Sequence, residues 1–331
     1  MFKAPFDMIT IGDITTDAFI RLKEASIHCN IDRQNCELCM RFGEKIPFEY
    51  VKVIKAAGNA ANSAVCASRL GLRTAIISNV GNDQNGKETM NVLQDEKIVT
   101  SLIRSHKDKL TNYHFVLWYE SDMTILVNHI DYDYRLPEIP KTKWIYLTSL
   151  PSGTFSYHMN IIEYLDTHPE VKLAFKPGTF QISLGMDELK RLYARADVCI
   201  VNLEEAKKIM RTDTRDPKSL LLGIHRHGPK IAIITNGIEG AYMYYGDHYY
   251  FMPIYPNPRP AVERTGCGDS FASTFLSALI MGKTPLEALV FAPINPMSVA
   301  QFVGSREGLL TLEQLEWWLK RAPEEFKPRE I

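Results

Sequence analysis

Short apolar runs without polar alternation recur along the chain, separated by segments with helical spacing. Residues 7–11, 74–80, 144–147, 171–175, 197–201 and 230–235 are of this kind, and turn residues or charges bound most of them. Such runs are the pattern of strands buried on both faces, as in a parallel sheet covered by helices. Between them, residues 60–70 carry small side chains at helical spacing and close on Gly71. Gly81-Asn82-Asp83 leads into a polar helix over 86–96. The alternation predicts an α/β fold with a mostly parallel central sheet.

Two regions break the rhythm. Residues 15–57 start as a strand, cross a polar stretch holding Cys29, Cys36 and Cys39, and end in a second apolar run over 48–54. Residues 113–119 and 124–130 read as an antiparallel hairpin around Glu120-Ser121-Asp122. These strands do not fit a buried parallel sheet and predict a small β-rich flap beside it. The Pro- and charge-rich end, 322–331, is expected to fray.

Composition narrows the function classes. A chain of 331 residues with 45% hydrophobic content can bury a large core. A net charge of −1 lacks the basic excess of a nucleic-acid binder, so no nucleic-acid partner is expected. No stretch reaches the roughly 18 apolar residues of a membrane helix, and the first residues carry no apolar leader. Six cysteines scattered through so long a chain read as reduced thiols, which predicts a cytoplasmic protein.

The most informative segment is Glu263-Arg264-Thr265-Gly266-Cys267-Gly268-Asp269, which precedes a helical run over 270–281. The small residues Gly266, Cys267 and Gly268 let backbone N–H groups converge at a helix start, where partial positive charge favours a phosphate. Asp269 beside that anion site can accept the proton of an attacking hydroxyl. Taken alone, the same residues also describe an ordinary glycine loop with an acidic helix start. At this helix start the Cys267 thiol is expected to have a lowered pKa, so that its alkylation would inactivate the protein unless a ligand bound at the anion site protects it.

This segment resembles the second signature of the PfkB/ribokinase family of carbohydrate kinases, D-T-x-G-A-G-D. Glu263 and Arg264 stand where the family has Asp-Thr, near its monovalent-cation site, which argues against potassium dependence. Ala57-Gly58-Asn59-Ala60-Ala61-Asn62 resembles the family's G-G-N-x-A-N element, with alanine in place of the first hinge glycine. Gly12-Asp13-Ile14-Thr15-Thr16-Asp17 is similar to the strand that carries the substrate-binding Asp. Asn202-Leu203-Glu204-Glu205 resembles N-x-x-E, and Thr235-Asn236-Gly237-Ile238-Glu239-Gly240 the nucleotide loop T-x-G-x-x-G.

The resemblance implies one ribokinase-like domain over 1–331. This is a three-layer α/β/α sandwich with a mostly parallel sheet and a small β-rich lid from about 15–57 and 108–137. It implies ATP-dependent phosphorylation of a hydroxyl, with Asp269 as base and the Gly266, Cys267 and Gly268 amides as anion hole. Asp17, Gly58, Asn59 and Asn62 would hold the acceptor. Asn202, Glu205, Thr235, Gly237, Gly240 and, more loosely, Asn295 would hold ATP, and Glu205 would contact Mg2+ through water. The polar acceptor set fits a sugar. A nucleoside would need an aromatic cleft, for which Phe115, Trp118 and Tyr119 are the candidates. Lid strands that pair between subunits imply a homodimer. The alternative from another class is a weakened relative acting as a nucleotide or sugar sensor.

Two further patterns are set aside. Gly81 to Glu88 nearly spells a phosphate loop, but Glu88 stands where Mg2+ would need a hydroxyl. Cys36-Glu37-Leu38-Cys39, with His28 and Cys29 upstream, has part of a zinc pattern but lacks a second knuckle.

Overall fold

The computed structural model describes residues 4–29, 36–120 and 122–331. Its strands run in chain order as β1 (Phe6–Ile11), β2 (Thr15–Leu22), β3 (Ser26–Cys29), β4 (Cys36–Cys39), β5 (Phe48–Ala57), β6 (Thr74–Gly81), β7 (Ile103–His106) and β8 (Tyr113–Tyr119). They continue as β9 (Asp122–Leu126), β10 (Thr142–Leu147), β11 (Lys172–Phe175), β12 (Val198–Asn202), β13 (Ile231–Thr235), β14 (Ala241–Tyr245), β15 (His248–Met252) and β16 (Arg329–Glu330).

The apolar runs form the centre of a ten-stranded sheet, in the order β16-β15-β14-β13-β12-β11-β10-β1-β6-β7. From β13 to β7 every pairing is parallel, and β14 to β16 close one edge antiparallel. Alternate side chains feed opposite cores. Met8, Ile76, Tyr146 and Ile200 face one cluster, together with Ala64, Phe275 and Leu289 from helices Asn59–Arg69, Cys267–Ile280 and Pro285–Phe291. Ile9, Ile77, Ile145 and Val201 face the other, with Ile161, Ala206 and Leu221 from helices Phe155–Thr167, Leu203–Met210 and Pro217–His225. Each fully buried aliphatic side chain contributes about 1.5–3 kcal/mol, so strands buried on both faces dominate the stability. The result is the three-layer sandwich with a mostly parallel sheet.

The alanine-rich helix Asn59–Arg69 packs closely on Cys267–Ile280. Ala60, Ala61, Ala64 and Ala67 are fully buried, and Ser273 Oγ donates to the Ser63 carbonyl at 2.7 Å. Small side chains permit that approach, which brings the first turn of one helix to the first turn of the other.

A second, four-stranded sheet has the order β5-β2-β8-β9. One face carries Phe19, Ile54, Ala57 and Val116, which pack with Met123 and Val303. Lys52 ties this sheet to the main body, donating to the Val303 carbonyl at 2.7 Å and pairing with Glu307 at 3.0 Å. On the other face Val51, Val53, Phe115 and Leu126 are exposed.

Several expectations need correction. The hairpin's second strand is Asp122–Leu126, shorter and earlier than 124–130, and Ser121 lies outside the described residues. The chain leaves the sheet because the main body claims it. Ile130 N–H donates to Asn112 at 2.8 Å, and Tyr134 reaches Asp13 at 2.7 Å. The C-terminal end does not fray within the structure: Arg329 and Glu330 pair with Phe251 and Tyr250, and Phe326 is buried against Tyr255. The cysteines are not all free thiols. Cys29 and Cys36 face each other across the β3–β4 ladder with Cα atoms 4.0 Å apart and are joined by a disulfide. That bond takes two of the sulfurs of the zinc pattern, and Cys39 pairs instead opposite Ser26. No helix among the described residues is long and apolar enough to cross a membrane.

Candidate active site

The carboxyl ends of the parallel strands converge on one edge, where open α/β sheets bind ligands. β1 ends into Gly12 and Asp13, β11 into Lys176, and Asn202 of β12 lies beside Thr235 of β13 in register. The Gly266 turn meets this edge. Gly266 has a φ of 82°, and a Cβ there would sit 2.5 Å from the Ser305 side chain. Only glycine makes this turn without strain. The helix starts at Cys267, which places Gly268 and Asp269 in its first turn. First-turn amides have no acceptor inside their own helix, which suits an anion. The Cys267 N–H, however, donates to the Arg264 carbonyl at 3.2 Å, so the expected three-amide hole is narrower on that side.

Asp269 is buried, and both its oxygens are held. Asn62 Nδ2 donates to Oδ2 at 3.1 Å, and Lys176 Nζ lies 3.2 Å from Oδ1. Asn62 in turn accepts from Ser305 Oγ at 2.7 Å. One amide hydrogen of Asn62 is thus on Asp269 and one lone pair of its oxygen on Ser305. Burial lowers the ammonium pKa of Lys176, but Asp269, Glu205 and Tyr146 outweigh it and the net shift is upward.

Asp17, on β2, is largely buried and near enough to Asp269 for their charges to repel. Burial raises its carboxyl to about 6, against a hydrogen bond from Thr15 at 2.7 Å and the charge of Arg306, and repulsion from Asp269 adds to the rise. His114, its partner on β8, lies 3.6 Å away. Burial and His129 push His114 down to about 4. At neutral pH the imidazole is therefore uncharged, and this contact is not an ion pair. His129 sits 3.2 Å from Asp13, whose other oxygen accepts from Tyr134. The rings of His114, His129 and Phe180 follow one another at 5.3 and 5.6 Å between centroids. His114 Nε2 is buried without a hydrogen-bond partner, and His129 Nδ1 and Asp13 Oδ2 are buried against each other without hydrogen-bond alignment.

Gly58 caps the helix Asn59–Arg69 with a φ of 94°, and a Cβ there would lie 2.8 Å from the Asp13 carbonyl. Asn59 opens that helix, half-buried. The left-handed backbone falls on Ala56 (φ 53°) and Gly58, not on Ala57, so alanine at 57 adds no strain of its own.

On the nucleotide side, Thr235, Gly237, Gly240, Cys267 and Gly268 line one pocket with Arg264. Its walls are apolar, from Ile238, Met252, Phe271, Pro293, Pro296 and Met297. Asn295 does not line this pocket. It is fully buried, donating to Thr274 at 2.8 Å and accepting from Leu310 N–H at 2.8 Å. The short helix Ile294–Val299 turns Asn295 into the core, while Pro293 and Pro296 line the pocket. Asn202 and Glu205 form a reciprocal capping box at 2.8 Å in each direction. This is a sound helix start that leaves Glu205 partly exposed.

The cysteine expectation is reversed. Burial, with Glu263 and Asp269 nearby, raises the Cys267 thiol to about 12, outweighing the helix terminus and Arg264. Glu263 is buried too. Its oxygens accept from Thr265 N–H at 2.5 Å and Gly304 N–H at 2.7 Å, so this carboxylate braces the turn. The phosphate-loop lookalike is filled by its own side chain: Asp83 accepts from Gly86 N–H at 2.8 Å and from Thr111.

Asp13, His114, His129 and Lys176 were not singled out from the sequence. Lys176 had a signal, a charge directly after a buried strand and before Pro177. The histidines had none.

The chain belongs to the pfkB family of carbohydrate kinases, whose family profile matches residues 28–308. It is 29% identical over 263 residues to a nucleoside kinase of Methanothermobacter thermautotrophicus, covering 77% of this chain and 80% of that one. It is 28% identical over 245 residues to an ATP-dependent 6-phosphofructokinase of Thermoanaerobacterium thermosaccharolyticum, covering 70% and 74%. Its fold matches Arabidopsis thaliana ribokinase, solved with ribose and ATP, at a TM-score of 0.77 and 18% identity over 96% of this chain and 99% of that one. The protein is thus an ATP-dependent sugar or nucleoside kinase, a phosphotransferase with an alcohol acceptor.

Proposed function

We propose that the protein transfers the γ-phosphate of ATP to a hydroxyl of a sugar, with Asp17 binding the acceptor and Asp269 taking its proton. The observation that carries this reading is that two largely buried carboxylates, Asp17 from the small sheet and Asp269 from the helix after the glycine turn, lie near enough for their charges to repel. Asp17 accepts hydrogen bonds from acceptor hydroxyls, aided by Gly58 and Asn59, while Asn62 holds Asp269 in line. The acceptor O–H bond breaks as its proton passes to Asp269, and the oxygen bonds to phosphorus. The P–O bond to ADP breaks with its electron pair left on ADP. The Gly266–Gly268 turn sits where charge builds on the transferred group.

Thr235, Gly237 and Gly240 would cradle the nucleotide. Among the described residues no group of three or more His, Cys, Asp or Glu converges to hold a metal. The donor set therefore fits an Mg2+ that arrives with the phosphates, held through water by Glu205 beside Asn202; its chemistry is charge neutralisation. Glu263 has both oxygens on backbone amides and so braces the glycine turn.

A nucleoside is the second reading, favoured by the ring series His114, His129 and Phe180 beside Asp17. Phe115 is exposed on the outer face, and Trp118 stacks under Arg21, so these two do not form a base cleft. The small sheet acts as a lid, and its exposed outer face would pair two copies in a homodimer.

Magnesium-dependent ADP release across pentoses, hexoses, ketodeoxy acids and nucleosides, with Asp269→Asn as control, tests the reading. Turnover with one acceptor class, lost in the control, supports it. Nucleotide binding with silence across the panel favours a sensor.

A further inference from the structure

Lys176 is the basic side chain held directly against Asp269. It follows β11 immediately, and Pro177 fixes the backbone beyond it. Its Nζ is 3.2 Å from Asp269 Oδ1, and both side chains are about nine-tenths buried. A buried ammonium carries a desolvation penalty of several kcal/mol, which a single ion pair often fails to offset. Packing alone would be served as well by an apolar residue of similar length. The position instead has a chemical logic. Lys176 feels the charge of Asp269 first, then that of Glu205 and the hydroxyl of Tyr146 on β10. Its ammonium thus touches the proposed base and also senses the carboxylate proposed to face the phosphates.

We infer that Lys176 is a positioning residue for phosphoryl transfer: its ammonium fixes Asp269 Oδ1 in the resting site and becomes the countercharge for the moving phosphoryl group once Asp269 has taken the acceptor's proton. Each oxygen of Asp269 keeps a lone pair beyond those used by Asn62 and Lys176, so the base can accept a proton without first losing its supports. When the proton arrives, the carboxylate charge vanishes and Lys176 is left as an uncompensated cation beside the new phosphate ester oxygen. Lys176 itself neither gains nor loses a proton, and charge moves past it in step with the reaction. This inference rests on Asp269 being the base.

The test compares Lys176→Met, Lys176→Arg, Asp269→Asn and the Lys176→Met/Asp269→Asn double variant in steady-state kinetics, with thermal melting as a fold control. The expected result is a kcat at least about 100-fold lower in Lys176→Met, the scale of losing one oriented charge at a transition state. The KM values for ATP and acceptor should stay within about threefold, because the loss falls on the transition state alone. Lys176→Arg should recover part of kcat, and the double variant should be no slower than Asp269→Asn. If Lys176→Met fails to fold, Lys176→Arg decides: a lowered kcat with unchanged KM values supports the role, and wild-type kinetics overturn it. A kcat within threefold of wild type in Lys176→Met, or a loss that multiplies that of Asp269→Asn, also overturns it. If Asp269→Asn itself stays active, the base assignment fails first; if Asp269→Asn is dead and Lys176→Met is normal, only the inference about Lys176 fails.

Discussion

The two sides of the cleft are built from different materials. The proposed nucleotide side is backbone and apolar wall: Gly237, Gly240 and Gly268, with Met252, Phe271 and Met297 around them. The proposed acceptor side is a set of buried titratable groups, Asp13 with His129, Asp17 with His114, and Lys176 with Asp269. Backbone amides and apolar walls recognise what all nucleoside triphosphates share. Buried charges with unpaired atoms are selective, because an acceptor that leaves them unsatisfied is rejected strongly. Kinases that the chain resembles are named for acceptors as different as a nucleoside, a fructose phosphate and a deoxygluconate.

Removing one carboxylate from the acceptor side should separate the two halves. Asp17→Asn is expected to raise the acceptor KM by about 10–100-fold, the value of a hydrogen bond to a charged group, with the ATP KM unchanged. Steady-state kinetics in both substrates read this directly. The same carboxylate gives the acceptor side a pH dependence that the nucleotide side lacks. With its value raised to about 6, Asp17 is protonated below that pH and accepts fewer hydrogen bonds. The acceptor KM should therefore rise as pH falls through about 6, and the ATP KM should not.

Stability should move the other way. A carboxyl whose folded pKa is raised takes up protons on folding between its ordinary value and about 6, so its contribution declines as pH rises through that window. Asp17→Asn should accordingly raise the melting temperature at pH 8 and have little effect at pH 4, as calorimetry at the two pH values would record.

On the nucleotide side the backbone is the sensitive part. Gly266→Ala places a β-carbon at a φ of 82° against Ser305, which is expected to destabilise the fold by about 1–3 kcal/mol and weaken ATP binding. Melting curves with and without ATP measure both effects. The smallest effect is at Cys267. With its thiol raised to about 12, alkylation at pH 8 should be at least about tenfold slower than in the denatured chain, followed by peptide mapping.

The same contrast governs what the sequence revealed. The central sheet was legible because β1, β6, β10, β11, β12 and β13 are continuous apolar runs, and burial on both faces leaves such runs little choice. The nucleotide side was legible because glycine spacing is local in the chain. The acceptor side draws on β1, β2, β8, the segment after β9, and the residue after β11, which only the tertiary fold brings together. His114 looks like any polar residue on a lid strand until β8 pairs with β2. Asn295 was assigned to ATP by resemblance alone, and nothing local in the chain shows that the short helix turns it into the core. Cys267 misled because a helix start was weighed without the burial and the two carboxylates around it.

The central claim is that Asp269 moves the proton while other groups bind the substrates. The most direct measurement is kcat for Asp269→Asn with the best acceptor, alongside ATP affinity by calorimetry. The account predicts a kcat at least about 100-fold lower with ATP affinity within threefold of wild type. An Asp269→Asn enzyme that binds ATP and turns over at the wild-type rate would contradict it.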